Sequence, residues 1–164
     1  MMTDVLFRHG RLTLVMAIAA AVVMVAHPVF ADMSREVGAA FRGQLVISKD
    51  DLPEGRNDKD TIAKIKRAQL KALVGTTNDS VTSWHFHYTA FLEKTGARAL
   101  TLKFMSGDRM VADKRLTGVD PKSAVLTGDI AIDTDEDLAR GKTYTLELAD
   151  GKRGVVARTT LKMR

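Results

Sequence analysis

The sequence predicts a mainly β protein: a two-sheet antiparallel β-sandwich of about seven strands, with one helix in the first long connection. Three observations carry that expectation. Trp84–Leu92, WHFHYTAFL, alternates in the way a strand with one core face must, because successive side chains point to opposite sides. From Ala99 onward, further stretches of period two follow at close spacing, separated by Gly, Pro, Asp and Ser turn residues. Only the stretch that begins at Asp60 or Thr61 has helical spacing over several turns.

The chain has 164 residues, no cysteine and a formal charge of +5. Residues 1–31 read as a cleaved signal peptide. Arg8 and Arg11 supply a positive start, and Leu12 to Ala26 is an uncharged apolar run. Pro28 breaks the run before Val29-Phe30-Ala31, which places cleavage before Asp32. The run is about fifteen residues, shorter than the roughly 20 that a membrane-spanning helix needs. Arg8 and Arg11 are not adjacent, which argues against a twin-arginine signal, and no cysteine follows to carry a lipid. The expected location is therefore periplasmic or extracellular. Residues 32–164 fit one domain, whose core must serve without disulfides.

Within that domain, Phe41 to Ser48 reads as the first strand, with Phe41, Gly43, Leu45 and Ile47 on one side. A polar loop with the Pro53-Glu54-Gly55 turn follows. The helix then runs from an Asp60 or Thr61 cap to Gly75 as its stop, with Ile62, Ile65, Ala68, Ala72 and Leu73 as its apolar stripe. Thr76 to Ser83 reads as a second polar loop before the aromatic strand. That strand puts Trp84, Phe86, Tyr88, Ala90 and Leu92 inward and His85, His87 and Thr89 outward. Ala99 to Met105, the weaker edge strand Arg109 to Leu116, Val125 to Ile132 and Lys142 to Ala149 come next. The last strand places Val155, Ala157, Thr159, Leu161 and Met163 inward. Two stacked sheets are the usual way to bury so many one-sided strands.

Asp137 to Leu146, DLARGKTYTL, resembles the corner before the sixth strand of immunoglobulin-like and fibronectin type III-like sandwiches. There a leucine, a glycine and a tyrosine form a tyrosine corner, whose hydroxyl bonds back to the backbone. The resemblance implies a fold and no catalytic residues. Leu146 stands where antibody domains have cysteine, and about 35 residues with a helix separate the first two strands.

His85 and His87 are the candidate metal ligands, since two imidazoles at i and i+2 on one strand face can reach one zinc or copper ion. A third ligand would come from Met105, Asp113 or a carboxylate between Asp129 and Asp137. The plainer reading is a solvent face opposite the core. Asp133, Asp135, Glu136 and Asp137 have the oxygens calcium prefers, without the glycine and distal glutamate of an EF-hand loop. Lys64, Lys66, Arg67 and Lys71, and separately Arg153, Arg158, Lys162 and Arg164, form two cationic sets that an anionic surface would attract. Loss of the leader lowers the charge to about +4, with bases scattered among acids, so nucleic acid is not an expected partner.

No nucleophile elbow, cysteine nucleophile or glycine-rich phosphate loop is present. The expected function is an exported, non-catalytic binding or structural module with no cofactor, whose partner is a protein or an anionic surface. A periplasmic metal-binding protein using His85 and His87 is the first alternative. An enzyme with carboxylates that sequence cannot pair is the second.

Overall fold

The computed structural model describes residues 33–93, 96–152 and 154–164. The expected signal peptide and Arg153 lie outside the described residues. In chain order the elements are α1 (Arg35–Ala40), β1 (Leu45–Ser48), α2 (Asp58–Ala68), β2 (Ala72–Leu73), β3 (Thr76–Asn78) and β4 (Val81–Phe91). Then come β5 (Ala99–Ser106), β6 (Arg109–Thr117), β7 (Val125–Asp133), a 3-10 turn (Thr134–Glu136), β8 (Thr143–Asp150) and β9 (Gly154–Met163).

The strands form two sheets. β4 carries β7 along one edge, with β1 and β3 in succession along the other. The second sheet runs β2-β9-β8-β5-β6. All pairings between named strands are antiparallel except β2 with β9, which is parallel. The expected two-sheet β class is therefore what forms, with nine strands among the described residues rather than seven.

Alternation sets the core. Trp84, Phe86, Tyr88 and Ala90 of β4 face Leu100, Leu102 and Phe104 of β5 and Tyr144, Leu146 and Leu148 of β8 across the sandwich. β6 is the sheet edge that its weaker pattern predicts, paired only with β5. The hydroxyl of Tyr144 makes the expected corner, accepting from the backbone N–H of Ala139 at 2.8 Å.

A second apolar cluster lies on the far side of the β4 sheet. Val37 and Phe41 from the α1 region, Ile65 from α2 and Leu52 from the loop cover Val46 and Phe91 there, and the rings of Phe41 and Phe91 stand 5.1 Å apart. β1 is consequently buried on both faces. This added layer explains the first departure from expectation. Phe41 caps α1 instead of opening β1, and it packs against the helix side, away from Leu45 and Ile47.

The main helix is shorter than its sequence stripe suggests. Asn57 caps it by accepting from Asp60 N–H at 3.0 Å, acids fill its first turn, and Lys66 and Arg67 sit in its last, in keeping with the helix dipole. It ends at Ala68 because Gln69 turns extended and Leu70 donates to the Ile47 carbonyl at 2.7 Å. Ala72 and Leu73 then pair with Lys162 and Met163, so Gly75 is no helix stop. The expected loop before β4 is instead the β3–β4 hairpin, turned through Asp79 and Ser80 at positive φ. β9 carries a bulge at Val156, because Leu148 opposes Ala157 while the next residue, Ala149, opposes Val155, and this register shift leaves Val155 exposed rather than inward.

Candidate functional site

The outer face of the β4 sheet changes character along its length. Near the helices, Phe91 pairs with Val125 and is apolar and buried. One row on, Val46, Thr89 and Thr127 lie side by side, and in the next row come Ser48, His87 and Asp129. His85 opposite Ala131 follows, and both are exposed. The polar rows thus sit where the helical layer gives way to solvent.

His85 and His87 share the predicted face but not the predicted environment. His85 is exposed, whereas His87 is buried, so its side chain is no solvent decoration. The His87 Nδ1 is hydrogen-bonded to Asp129 Oδ1 at 3.1 Å, and its Nε2 lies 3.3 Å from Asp51 Oδ1. Asp51 belongs to the loop between β1 and α2, so the loop folds over the strand that the sequence left open. The two carboxylates are themselves open to water, with side chains 65% and 83% exposed for Asp51 and Asp129.

Three buried polar atoms on this face have no hydrogen-bond partner: Ser48 Oγ, His87 Nε2 and Thr89 Oγ1. Although Nε2 and Asp51 Oδ1 are close enough, the ring nitrogen is not aligned to hydrogen-bond with that oxygen. On the other side of the strand, Tyr88 packs over Gly128, where a Cβ would come 2.9 Å from the phenol oxygen. Burial, and the Asp129 charge, push the Tyr88 phenol above its usual range.

The row Ser48–His87–Asp129 has the residue types of a nucleophilic triad, with Asp129 holding the imidazole as such a triad requires. Ser48 Oγ, however, is sealed from solvent and makes no hydrogen bond to His87. A nucleophile needs both contact with its base and access to substrate.

Several of the other candidates are tied into local structure. Asp133 accepts from Asp135 N–H at 3.0 Å to cap the 3-10 turn, and Glu136 pairs with Lys114 of β6. Asp137 adopts the left-handed region just after that turn. On α2, Lys64 bonds to the Glu54 carbonyl and pairs with Asp60, and Arg67 donates to the Ala63 carbonyl. Arg158 opposes Glu147, Glu147 opposes Lys103, and Lys103 opposes Asp113 across the outer face of the five-stranded sheet. That row alternates in sign and is not a uniformly positive surface. Among the described residues, no group of three or more His, Asp and Glu side chains converges to hold a metal, and no helix is long and apolar enough to cross a membrane.

The sequence signal for this site was partial. The His-x-His pattern marks the strand face, but Asp51, Ser48 and Thr89 join it only through cross-strand register and loop folding. Comparison with known proteins finds no matching family model, no similar curated protein and no similar solved structure.

Proposed function

We propose that the protein is an exported, non-catalytic β-sandwich module of immunoglobulin-like type that binds a ligand on the outer face of the β4 sheet. The observation that carries this reading is the set of buried atoms without a hydrogen bond: Ser48 Oγ, His87 Nε2 and Thr89 Oγ1. A buried polar group without a partner costs roughly 1–3 kcal/mol, and apolar residues would cover the sheet here more cheaply. Polar groups kept at such a cost mark a place where something else supplies the missing bonds.

Strand order supports the fold type. β1-β4-β7 on one sheet and β9-β8-β5-β6 on the other correspond to A-B-E and G-F-C-C′ of that family, with the Tyr144 corner on its F strand. Helix α2 and the two short strands β2 and β3 lie within the A–B connection, whereas α1 precedes the A strand. Fold type by itself names no ligand.

Native mass spectrometry of the exported protein tests the reading. The expected result is a mature chain starting at Asp32 with a noncovalent adduct, and the adduct is absent from a His87→Gln variant. A bare mature chain, or an adduct that the variant retains, overturns the site. A chain that keeps its leader overturns the export assignment alone.

A further inference from the structure

The geometry points to a divalent transition-metal ion as the ligand, held by His87 Nε2 and Asp51, with Asp129 orienting the imidazole and His85 taking no part. This inference rests on the ligand face proposed above and specifies what that face holds.

The argument begins with proton placement. An ionised carboxylate only accepts hydrogen bonds, so the 3.1 Å contact to Asp129 makes His87 Nδ1 the donor. In the neutral ring Nε2 then carries a lone pair, and it faces another acceptor, Asp51 Oδ1, at 3.3 Å. Two acceptors held this close need a proton or a cation between them. A proton on Nε2 would make the contact an ion pair, though one without an aligned hydrogen bond. A metal requires a different arrangement, with the two ligand atoms side by side and both turned towards a third point.

The separation fits. Ligands about 2.0–2.1 Å from a tetrahedral ion lie roughly 3.3–3.4 Å apart. The Asp129–His87 bond is the carboxylate–histidine pairing that fixes the tautomer of a metal-bound imidazole. A nitrogen–oxygen pair of this kind suits zinc and neighbouring ions better than calcium or magnesium. Asp51 is open to water, so solvent can complete the coordination, and the Ser48 hydroxyl lies beside His87 in the same row. With two charged or imidazole ligands the site is an exchangeable one.

The test adds Zn(II) or Co(II) to the metal-free exported protein, with calorimetry for zinc and visible absorption for tetrahedral cobalt. One ion should bind per chain, and His87→Gln and Asp51→Asn should each abolish binding. Asp129→Asn should weaken it about 10–100-fold, as loss of an outer-shell partner does. His85→Ala should leave it unchanged. The Asp51 side chain is largely exposed, so Asp51→Asn should keep the fold and its unfolding midpoint even if His87→Gln does not. No saturable binding, binding that Asp51→Asn retains, or loss of binding in His85→Ala overturns the inference. If zinc fails but an organic adduct depends on His87, the ligand face stands without a metal; if neither is found, both readings fall.

Discussion

The indole Nε1 of Trp84 donates to the carbonyl oxygen of Arg164 at 3.1 Å, across 80 positions of sequence. The same oxygen accepts from Gly75 N–H at 2.8 Å, and Arg164 N–H donates to Leu73 at 2.7 Å. One residue therefore ties β4, the short strand β2 and the end of β9 together. The Trp84 ring is fully buried where these elements meet. Trp84→Ala should cost roughly 3–5 kcal/mol, from lost transfer energy and the cavity left behind. Urea unfolding measures it, and a loss below about 1 kcal/mol would contradict this account of the core.

Gly75 owes its place to the same contact. A Cβ there would meet Thr82 Cγ2 at 2.4 Å and Trp84 Nε1 at 2.8 Å. Gly75→Ala should destabilise by roughly 1–3 kcal/mol, the usual cost of overpacking. An unchanged unfolding midpoint would mean that β2 moves aside freely.

Tyr144→Phe removes the acceptor of Ala139 N–H and should cost about 1 kcal/mol. The tyrosine oxygen accepts this bond, so the group left unpaired in the variant is a backbone donor. Faster hydrogen exchange at the Ala139 amide would confirm that the loss is local.

Tyr88 gives the fold an alkaline limit. Its raised phenol value means that the folded state holds a proton which the unfolded chain releases near about pH 10. That contribution is complete below pH of about 10 and is lost as pH rises above it. Urea midpoints followed through this range should fall in the wild type and fall less steeply in Tyr88→Phe. Parallel curves would assign the alkaline loss to other groups.

Ser48→Ala and Thr89→Val replace hydroxyls that have no partner. In the ligand-free protein each should leave stability unchanged or raise it by about 1 kcal/mol, the reverse of the usual core result. Destabilisation of that size would show that bound water satisfies the hydroxyls.

The sequence carried the features that depend on near neighbours. Alternation placed Trp84, Phe86 and Tyr88 in the core, and the corner segment placed the Tyr144 bond to within a few residues. Features set by distant partners escaped it. Ala72 and Leu73 suit a helix stripe as well as a strand, and only their pairing with Lys162 and Met163 decides between the two. His87 alternates as a surface residue should, but Asp51 and the helical layer arrive from far along the chain and bury it. Val155 follows the inward period, but a bulge at the next residue of its own strand breaks it.

The parallel pairing of β2 with β9 also has a temporal side. A ribosome releases residues 72 and 73 long before residues 162 and 163. Until then, β8 lacks one of its two neighbours and β2 has none. The sandwich is therefore a late-closing structure, rich in contacts between distant residues and slow to form by that measure. In a nascent chain of this design, the five-stranded sheet cannot be completed until its last strand has been made.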